Sequence, residues 1–179
     1  MFKKIAVGIV IFLMAFAGYV AVQPSEFRVE RSATIAASAP EVFAHVNDFR
    51  KWDAWSPWAK LDPAAKATFE GEAAGKGAVF KWAGNDKVGE GTLTLTESRP
   101  AELVRVNTAF VKPYEGNSTT EFTFKPQGGA TAVTWSMFGR HDNFFLKAMC
   151  VFMSMDRIVG GDMEKGLANI KAVVEKAAK

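Results

Sequence analysis

The feature that most constrains the fold is a two-residue hydrophobic alternation that recurs through residues 66–137. Apolar and polar side chains take turns in six short runs, such as the run in which Phe80 and Trp82 flank Lys81. Glycine, asparagine, aspartate or proline separates one run from the next. Because side chains alternate between the two faces of a strand, the pattern predicts antiparallel strands with one apolar and one hydrated face. A further run from Phe27 to Ala37 predicts an earlier strand.

The C-terminal segment is the one predicted element long enough to cover the apolar face of such a sheet. Its apolar residues recur at spacings of three and four, which is the pattern of an amphipathic helix. They are Val159, Met163, Gly166, Ile170 and Val173. A short helix is predicted to start at Ser38, where Ser38 and Glu41 have capping-box spacing. This order of elements predicts an α+β domain in which a curved antiparallel sheet of about seven strands wraps around the terminal helix.

The N-terminal segment has the composition of a membrane helix. After Lys3 and Lys4, residues 5–22 contain no charged side chain, and about 20 apolar residues suffice to cross a bilayer. The small residues Ala15 and Ala17 leave open a cleaved signal peptide and a secreted protein, but the continuing apolar run favours an anchor. The two lysines predict an extracytoplasmic domain. We therefore expect a transmembrane anchor or signal segment at residues 1–23 and a folded domain at residues 24–179.

Several segments together resemble the SRPBCC (START-like) superfamily, specifically its polyketide cyclase/dehydrase-like family with an N-terminal membrane anchor. The resemblance rests on residues 29–32, 38–43, 46–49, 52–58, 134–137 and 161–171. It spans roughly residues 27–175 and implies a helix-grip fold, in which the curved sheet grips the C-terminal helix. It also implies a cavity between them for a lipid-, sterol- or polyketide-like molecule. The resemblance supplies no catalytic motif, so no catalytic residue is predicted.

Large apolar side chains with the inward phase are the candidate ligand-binding residues. Their flat rings suit the wall of an apolar pocket, although ordinary core packing is the alternative for each ring. Gly166 leaves room on the inner stripe of the terminal helix for either a ligand or a closely packed strand. The predicted set is Trp55, Phe80, Trp82, Phe110, Phe122, Phe124, Trp135, Met163 and Gly166.

Other segments allow more than one interpretation. The cluster of Trp52, Trp55 and Trp58 fits packing on the sheet rim, a cavity mouth or a membrane contact. Residues 143–155 are mostly apolar and include one charged residue, Lys147. This composition fits a buried connecting helix, a lid over the cavity or an interfacial patch. His141 and Asp142 fit a base with its orienting carboxylate or, more simply, a helix cap. Three polar residues near strands fit a role in orienting a ligand or, more simply, an outward or loop position: Arg105, Asn107 and Tyr114.

Composition excludes several classes of function. The net charge of +3 is spread along the chain, whereas nucleic-acid binding needs a concentrated basic face. One cysteine, Cys150, and two histidines give neither an internal disulfide nor a usual zinc spacing. No metal or cofactor is predicted. The favoured hypothesis is a membrane-tethered protein that binds a hydrophobic small molecule. The alternatives are a cyclase, dehydrase or hydrolase acting on such a molecule, and a protein-interaction domain with a filled cavity; the oligomeric state is left open.

Overall fold

The structure is a computed structural model that describes residues 2–113, 115–140 and 144–177, without the side chain of Leu146. The hypotheses on Tyr114, His141 and Asp142 therefore fall outside the described residues. The helices are α1 (Phe2–Val22), α2 (Ala39–Val46), a 3₁₀ helix (Phe49–Ala54), α3 (Phe144–Phe152) and α4 (Met155–Ala177). The strands are β1 (Glu26–Ile35), β2 (Lys66–Gly71), β3 (Ala78–Ala83), β4 (Glu90–Arg99), β5 (Leu103–Lys112), β6 (Gly116–Gln127) and β7 (Ala130–Arg140).

The strands form one antiparallel sheet in the order β1-β7-β6-β5-β4-β3-β2. Strands β2 to β7 follow one another as hairpins, and β1 pairs with β7. The pairing of β4 with β5 shifts between Leu95 and Glu97, and bulges of this kind bend a sheet and increase its twist. The predicted α+β class and helix-grip fold are confirmed.

Helix α4 packs mainly along β1, at one edge of the sheet. Arg31 on β1 holds the first half of α4 through Asp156 at 2.7 Å and Glu164 at 2.6 Å. Further along the helix, Lys171 Nζ donates to the Thr34 carbonyl at 3.1 Å. Because these contacts fix α4 over the β1 edge, the inner face of β3, β4 and β5 is left for other elements to cover.

Helix α2 and the 3₁₀ helix cover one end of that inner face. Helix α2 begins where the capping pattern predicted, and Glu41 accepts a hydrogen bond from the Ser38 amide at 2.8 Å. Phe43 of α2 packs edge-on against Phe124 of β6, with ring centroids 5.7 Å apart. Asn169 of α4 donates to the Trp55 carbonyl at 3.0 Å. These contacts close the end of the sheet at which α2 sits and leave the opposite end uncovered.

Helix α1 precedes the domain and is long and apolar enough to cross a membrane. Most of its residues are exposed, and Val20 is its one buried residue among those described. A core helix of a soluble domain would be buried instead. The helix therefore fits a membrane anchor or a signal sequence.

Candidate functional site: an aromatic cavity

A cavity of about 1710 Å³ opens at the uncovered end of the sheet. Its walls come from strands β2 to β7, the 3₁₀ helix and the start of α4, with Phe27 of β1 and Met149 of α3 at its edge. Ligand sites commonly enclose about 300–1,000 Å³. The cavity thus has room for a large or extended molecule.

One wall of the cavity is a row of aromatic rings on β2, β3 and β5. Phe69 and Phe80 have centroids 5.2 Å apart, Phe80 stacks on Trp82 at 6.2 Å, and Phe110 meets Trp82 edge-on at 5.9 Å. The indole of Trp82 donates to the Val88 carbonyl at 2.9 Å. Since this polar atom already has a partner, the ring can present an apolar face to the cavity.

Gly91 is the position on β4 that lets the Trp82 ring lie across the neighbouring strand. Gly91 pairs with Trp82 on one side and Phe110 on the other. A Cβ atom at Gly91 would lie 2.5 Å from Cη2 of Trp82 and 2.6 Å from the Ala109 carbonyl oxygen. Any side chain there would push the ring out of this wall.

The floor of the cavity carries hydroxyl groups. Thr108 and Ser118 face each other across β5 and β6, and Thr120 follows on β6; all three residues are buried. Ser118 Oγ and, elsewhere in the lining, Trp135 Nε1 are buried without a hydrogen-bond partner among the described residues. Such atoms are uncommon in native proteins, because an unpaired buried polar atom costs about 1–3 kcal/mol.

Charged side chains line the rim of the cavity. Lys112 is exposed and lies 2.8 Å from Glu90, and the hydrogen bond to this carboxylate raises the pKa of Lys112. Arg50 lies over the Phe69 ring, 5.3 Å from its centroid. In the described part of the chain no group of His, Cys, Asp and Glu side chains could hold a metal ion. The arrangement is an apolar interior with a few hydroxyl groups and a charged entrance.

The sequence of residues 26–175 matches the family described as polyketide cyclase / dehydrase and lipid transport. The chain belongs to this family. The resemblance to the SRPBCC superfamily is thereby confirmed over nearly the same residues that suggested it. No protein with a curated description matches the chain.

Solved structures share the fold of this polyketide cyclase/dehydrase family member at low sequence identity. The Zhui aromatase/cyclase from Streptomyces sp. R1128 is 14% identical with a TM-score of 0.63, over 86% of this chain and 96% of that one. Protein SA2116 from Staphylococcus aureus, of unknown function, is 12% identical with a TM-score of 0.65, over 88% and 98%. Protein Ms6760 from Mycobacterium smegmatis is 17% identical with a TM-score of 0.58, over 84% and 92%. These likenesses show the fold.

The predicted ligand-binding residues of this family member divide into two groups. Phe80, Trp82, Phe110 and Trp135 line the cavity. The others that bear side chains are buried in the core and do not line it: Trp55, Phe122, Phe124 and Met163. Phe122 and Phe124 lie where helices cover β6, because Trp52 of the 3₁₀ helix and Phe43 of α2 pack on their rings. Trp55 follows the 3₁₀ helix and Met163 is on α4, and both point into the same core.

Gly166 also lies outside the cavity lining, and its missing side chain makes room for a ring of the sheet. A Cβ atom at Gly166 would lie 2.6 Å from Cζ3 of Trp135 and 3.2 Å from Cδ of Pro57. Of the two interpretations of this glycine, close packing against a strand agrees with the structure.

The tryptophan cluster serves both rim packing and the cavity. Trp52 and Trp58 line the cavity, and the Trp52 indole donates to the Val46 carbonyl at 2.9 Å. Trp55 packs edge-on against Trp135, with centroids 5.9 Å apart. One segment thus contributes to both the wall and the core.

The polar candidates lie away from the cavity lining. Arg105 is on the outer face, where Glu97 and Glu121 bind its guanidinium and raise its pKa. Asn107 lies in a shallow groove on the same outer face. His45, one of the two histidines of the chain, is not one of these candidates; it lies on α2 outside the cavity lining, and burial lowers its pKa.

Sequence reasoning missed several lining residues. They include Phe27, Phe49, Phe69, Thr108, Ser118 and Thr120. Phe69, Thr108 and Thr120 share the inward phase of the aromatic runs, so the alternation itself was the signal that could have found them. Ser118 has the same phase as Thr120, two residues along β6.

Helix α3 corresponds to the apolar segment 143–155. Phe144 and Phe152 are 51% and 72% exposed, so the interpretation as a buried connecting helix is wrong. The helix lies beside α1, where Phe152 and Phe16 stack with centroids 5.9 Å apart.

Proposed function

We propose that this protein is a membrane-tethered binding protein for a hydrophobic small molecule of lipid-, sterol- or polyketide-like chemistry. The observation that carries the proposal is the aromatic cavity, whose walls present ring faces and whose charges lie at the entrance. Membership of a family described by polyketide cyclases, dehydrases and lipid transport supports the same class of ligand.

The chemistry of the cavity favours a ligand with a large apolar body and few polar groups. Each Å² of apolar surface removed from water stabilises a complex by about 25 cal/mol before the costs of binding are subtracted. The rings of Phe80, Trp82 and Phe110 offer that surface. The hydroxyl groups of Thr108 and Thr120 suit one or two ligand oxygens.

The tether in this proposal is α1, held in a single-pass orientation with the domain outside the cytoplasm. Its 21 residues span about 31 Å at 1.5 Å per residue, close to the roughly 30 Å of a bilayer core. Lys3 and Lys4 precede the apolar run, as expected of a cytoplasmic end. The folded domain is then residues 24–179. Release after signal cleavage is the other outcome, and the mass of the mature chain distinguishes the two.

The proposal is tested by filling the cavity from one face of β4. Leu93 lines the cavity, whereas its neighbour Thr94 faces the outer groove. Native mass spectrometry of the detergent-extracted full chain should detect a bound apolar molecule in the wild type. Leu93→Trp should lose it, because the indole takes up ligand space.

Thr94→Trp is the matched control, since it adds an indole at the next residue but on the opposite face. We expect this variant to retain the bound molecule at wild-type occupancy. Circular dichroism checks that both variants fold. A folded Leu93→Trp variant that carries as much ligand as Thr94→Trp would contradict binding in this cavity.

A further inference from the structure

Helix α3 presents large apolar side chains to solvent. Phe144, Phe145 and Phe152 are 51%, 56% and 72% exposed, and Met153 after the helix is 44% exposed. Lys147 is the one charged residue of the helix. Its nine residues are too few to cross a bilayer. Contiguous exposed apolar side chains of this kind mark an interaction surface.

The position of α3 beside α1 indicates which partner this surface fits. Lys147 Nζ lies 3.5 Å from the Ala21 carbonyl oxygen, and Phe152 stacks on Phe16. The two contacts show that the helices run in opposite directions. From Lys147 to Phe152 the helix descends beside α1 by five residues, which is about 7.5 Å.

This depth matches the membrane interface. Interfacial segments bury their apolar groups by about 5–10 Å, and α3, which runs along α1 rather than in the plane of the interface, covers the same depth from Lys147 to Phe152. Lys147 lies beside the last turn of α1, where its ammonium group can reach the lipid headgroups. Phe152 lies beside Phe16, within the apolar run.

The short connection between α1 and the domain keeps the cavity close to the C-terminal end of α1. Residues 23–25 alone separate α1 from β1, and three residues reach at most about 11 Å. Phe27, at the second position of β1, already lines the cavity. The domain therefore cannot move far from the end of α1.

An apolar path joins the exposed surface to the cavity. Phe145, Met149 and Phe152 follow at spacings of four and three, which places them on one face of α3. Met149 lines the cavity together with Met155 and Ile158 at the start of α4. The apolar wall of the cavity thus continues onto the exposed surface of α3.

We propose that α3 dips beside α1 from the headgroup level into the outer acyl region of the membrane that α1 crosses, and that the cavity receives its ligand from this leaflet. The partner of the α3 surface is the lipid bilayer, and the ligand class is a bilayer lipid or a lipophilic molecule dissolved among the acyl chains. The proposal rests on the tether and the cavity of the proposed function.

The position of α3 is tested with the full chain reconstituted in phosphatidylcholine vesicles. Cys150 is the one cysteine of the chain, so Cys150→Ala allows single labelling with the fluorophore NBD at Phe152→Cys. Thr68→Cys on the exposed strand β2 is the matched control. We expect quenching by lipids with a nitroxide near the headgroup for the label at 152, and quenching by aqueous iodide for the label at 68.

Equal iodide quenching at the two positions would overturn the interfacial position of α3. Protection from both quenchers at 152, together with cross-linking of two copies through that cysteine, would overturn it in favour of a self-association surface.

A second experiment separates this inference from the proposed function. In Phe144→Ser/Phe152→Ser neither changed side chain lines the cavity. Ligand occupancy in detergent should equal that of the wild type. Uptake of a fluorescent fatty acid from vesicles should slow by about tenfold, because each buried ring favours insertion of α3 into the bilayer by at least that factor. Uptake at the wild-type rate would overturn the inference and leave the proposed function standing. Loss of occupancy in Leu93→Trp does not depend on α3.

Discussion

Gly166 offers a sharp test of how α4 packs on the sheet. A Cβ atom there would lie 2.6 Å from Cζ3 of Trp135. Trp135 is 1% exposed and packs against Phe122 with centroids 4.8 Å apart and against Trp55 at 5.9 Å. Phe122 and Trp55 hold its indole from two sides, so the ring can shift only by breaking these contacts. We expect Gly166→Ala to overpack the core and to lower the free energy of unfolding.

Two opposing effects set the magnitude. Alanine is favoured over glycine in a helix interior by about 0.5–1 kcal/mol, whereas an added methyl group in a well-packed core costs about 1–3 kcal/mol. The expected net loss is up to about 2.5 kcal/mol, with a central value of about 1 kcal/mol. Gly161 in the same helix is the matched control, because a Cβ atom there meets no heavy atom within 4 Å. Gly161→Ala should therefore gain the full helical preference of about 0.5–1 kcal/mol.

Thermal unfolding of the full chain in detergent, followed by far-ultraviolet circular dichroism, measures both effects. One kcal/mol shifts Tm by about 2–4 °C in a domain of 150–250 residues. Gly166→Ala should melt below the wild type and Gly161→Ala above it. If both alanines raise Tm by the same amount, the close approach of α4 to Trp135 is refuted.

Two further predictions concern a buried hydrogen bond and an ion pair. Thr131→Val removes the buried hydroxyl that donates to the Ala37 carbonyl at 2.8 Å, so the free energy of unfolding measured in urea should fall by about 1–3 kcal/mol. The exposed substitution Thr68→Val is the control and should change this free energy by no more than about 0.5 kcal/mol. Equal losses in the two variants would contradict the reasoning. The Arg31 guanidinium lowers the pKa of Asp156 in the folded protein through a hydrogen bond. The ion pair therefore stabilises the fold fully above the unfolded-state pKa of about 3.9. This stabilisation is lost as the pH falls through the lower pKa of the folded state. Asp156→Asn should accordingly flatten the dependence of Tm on pH in acid, and an unaltered dependence would show that the pair does not contribute.

The alternation of apolar and polar residues predicted the sheet because it depends only on which face a side chain takes. Phe80 and Phe122 share the inward phase, and both do face inward. The pattern does not tell whether a helix covers that part of the strand. Phe122 lies under the 3₁₀ helix, with its ring 6.1 Å from that of Trp52, whereas Phe80 reaches the cavity. The positions of the covering helices decide this difference, among them that of α4 on β1.

That position depends on contacts that local pattern cannot reveal. Arg31 has the same inward phase as Val29 on β1, where a charged residue argues against a strand that faces the core. In the structure its guanidinium reaches the carboxylates of Asp156 and Glu164 on α4. These residues lie more than a hundred positions apart, with separations of 125 and 133. The pairing could be recognised only after the helix had been placed.

The pairing of β1 with β7 has a consequence for how the chain is made. Ser32 and Thr134 face each other across these strands although 102 residues separate them. The ion pairs of Arg31 form with α4, which follows β7 in the chain. Distant contacts of this kind slow folding. During synthesis the first strand emerges with no neighbour and stays unpaired until nearly the whole polypeptide has left the ribosome. A nascent chain of this protein thus carries an unpaired strand next to its apolar N-terminal helix, and a chaperone that shields this strand should raise the yield of folded protein.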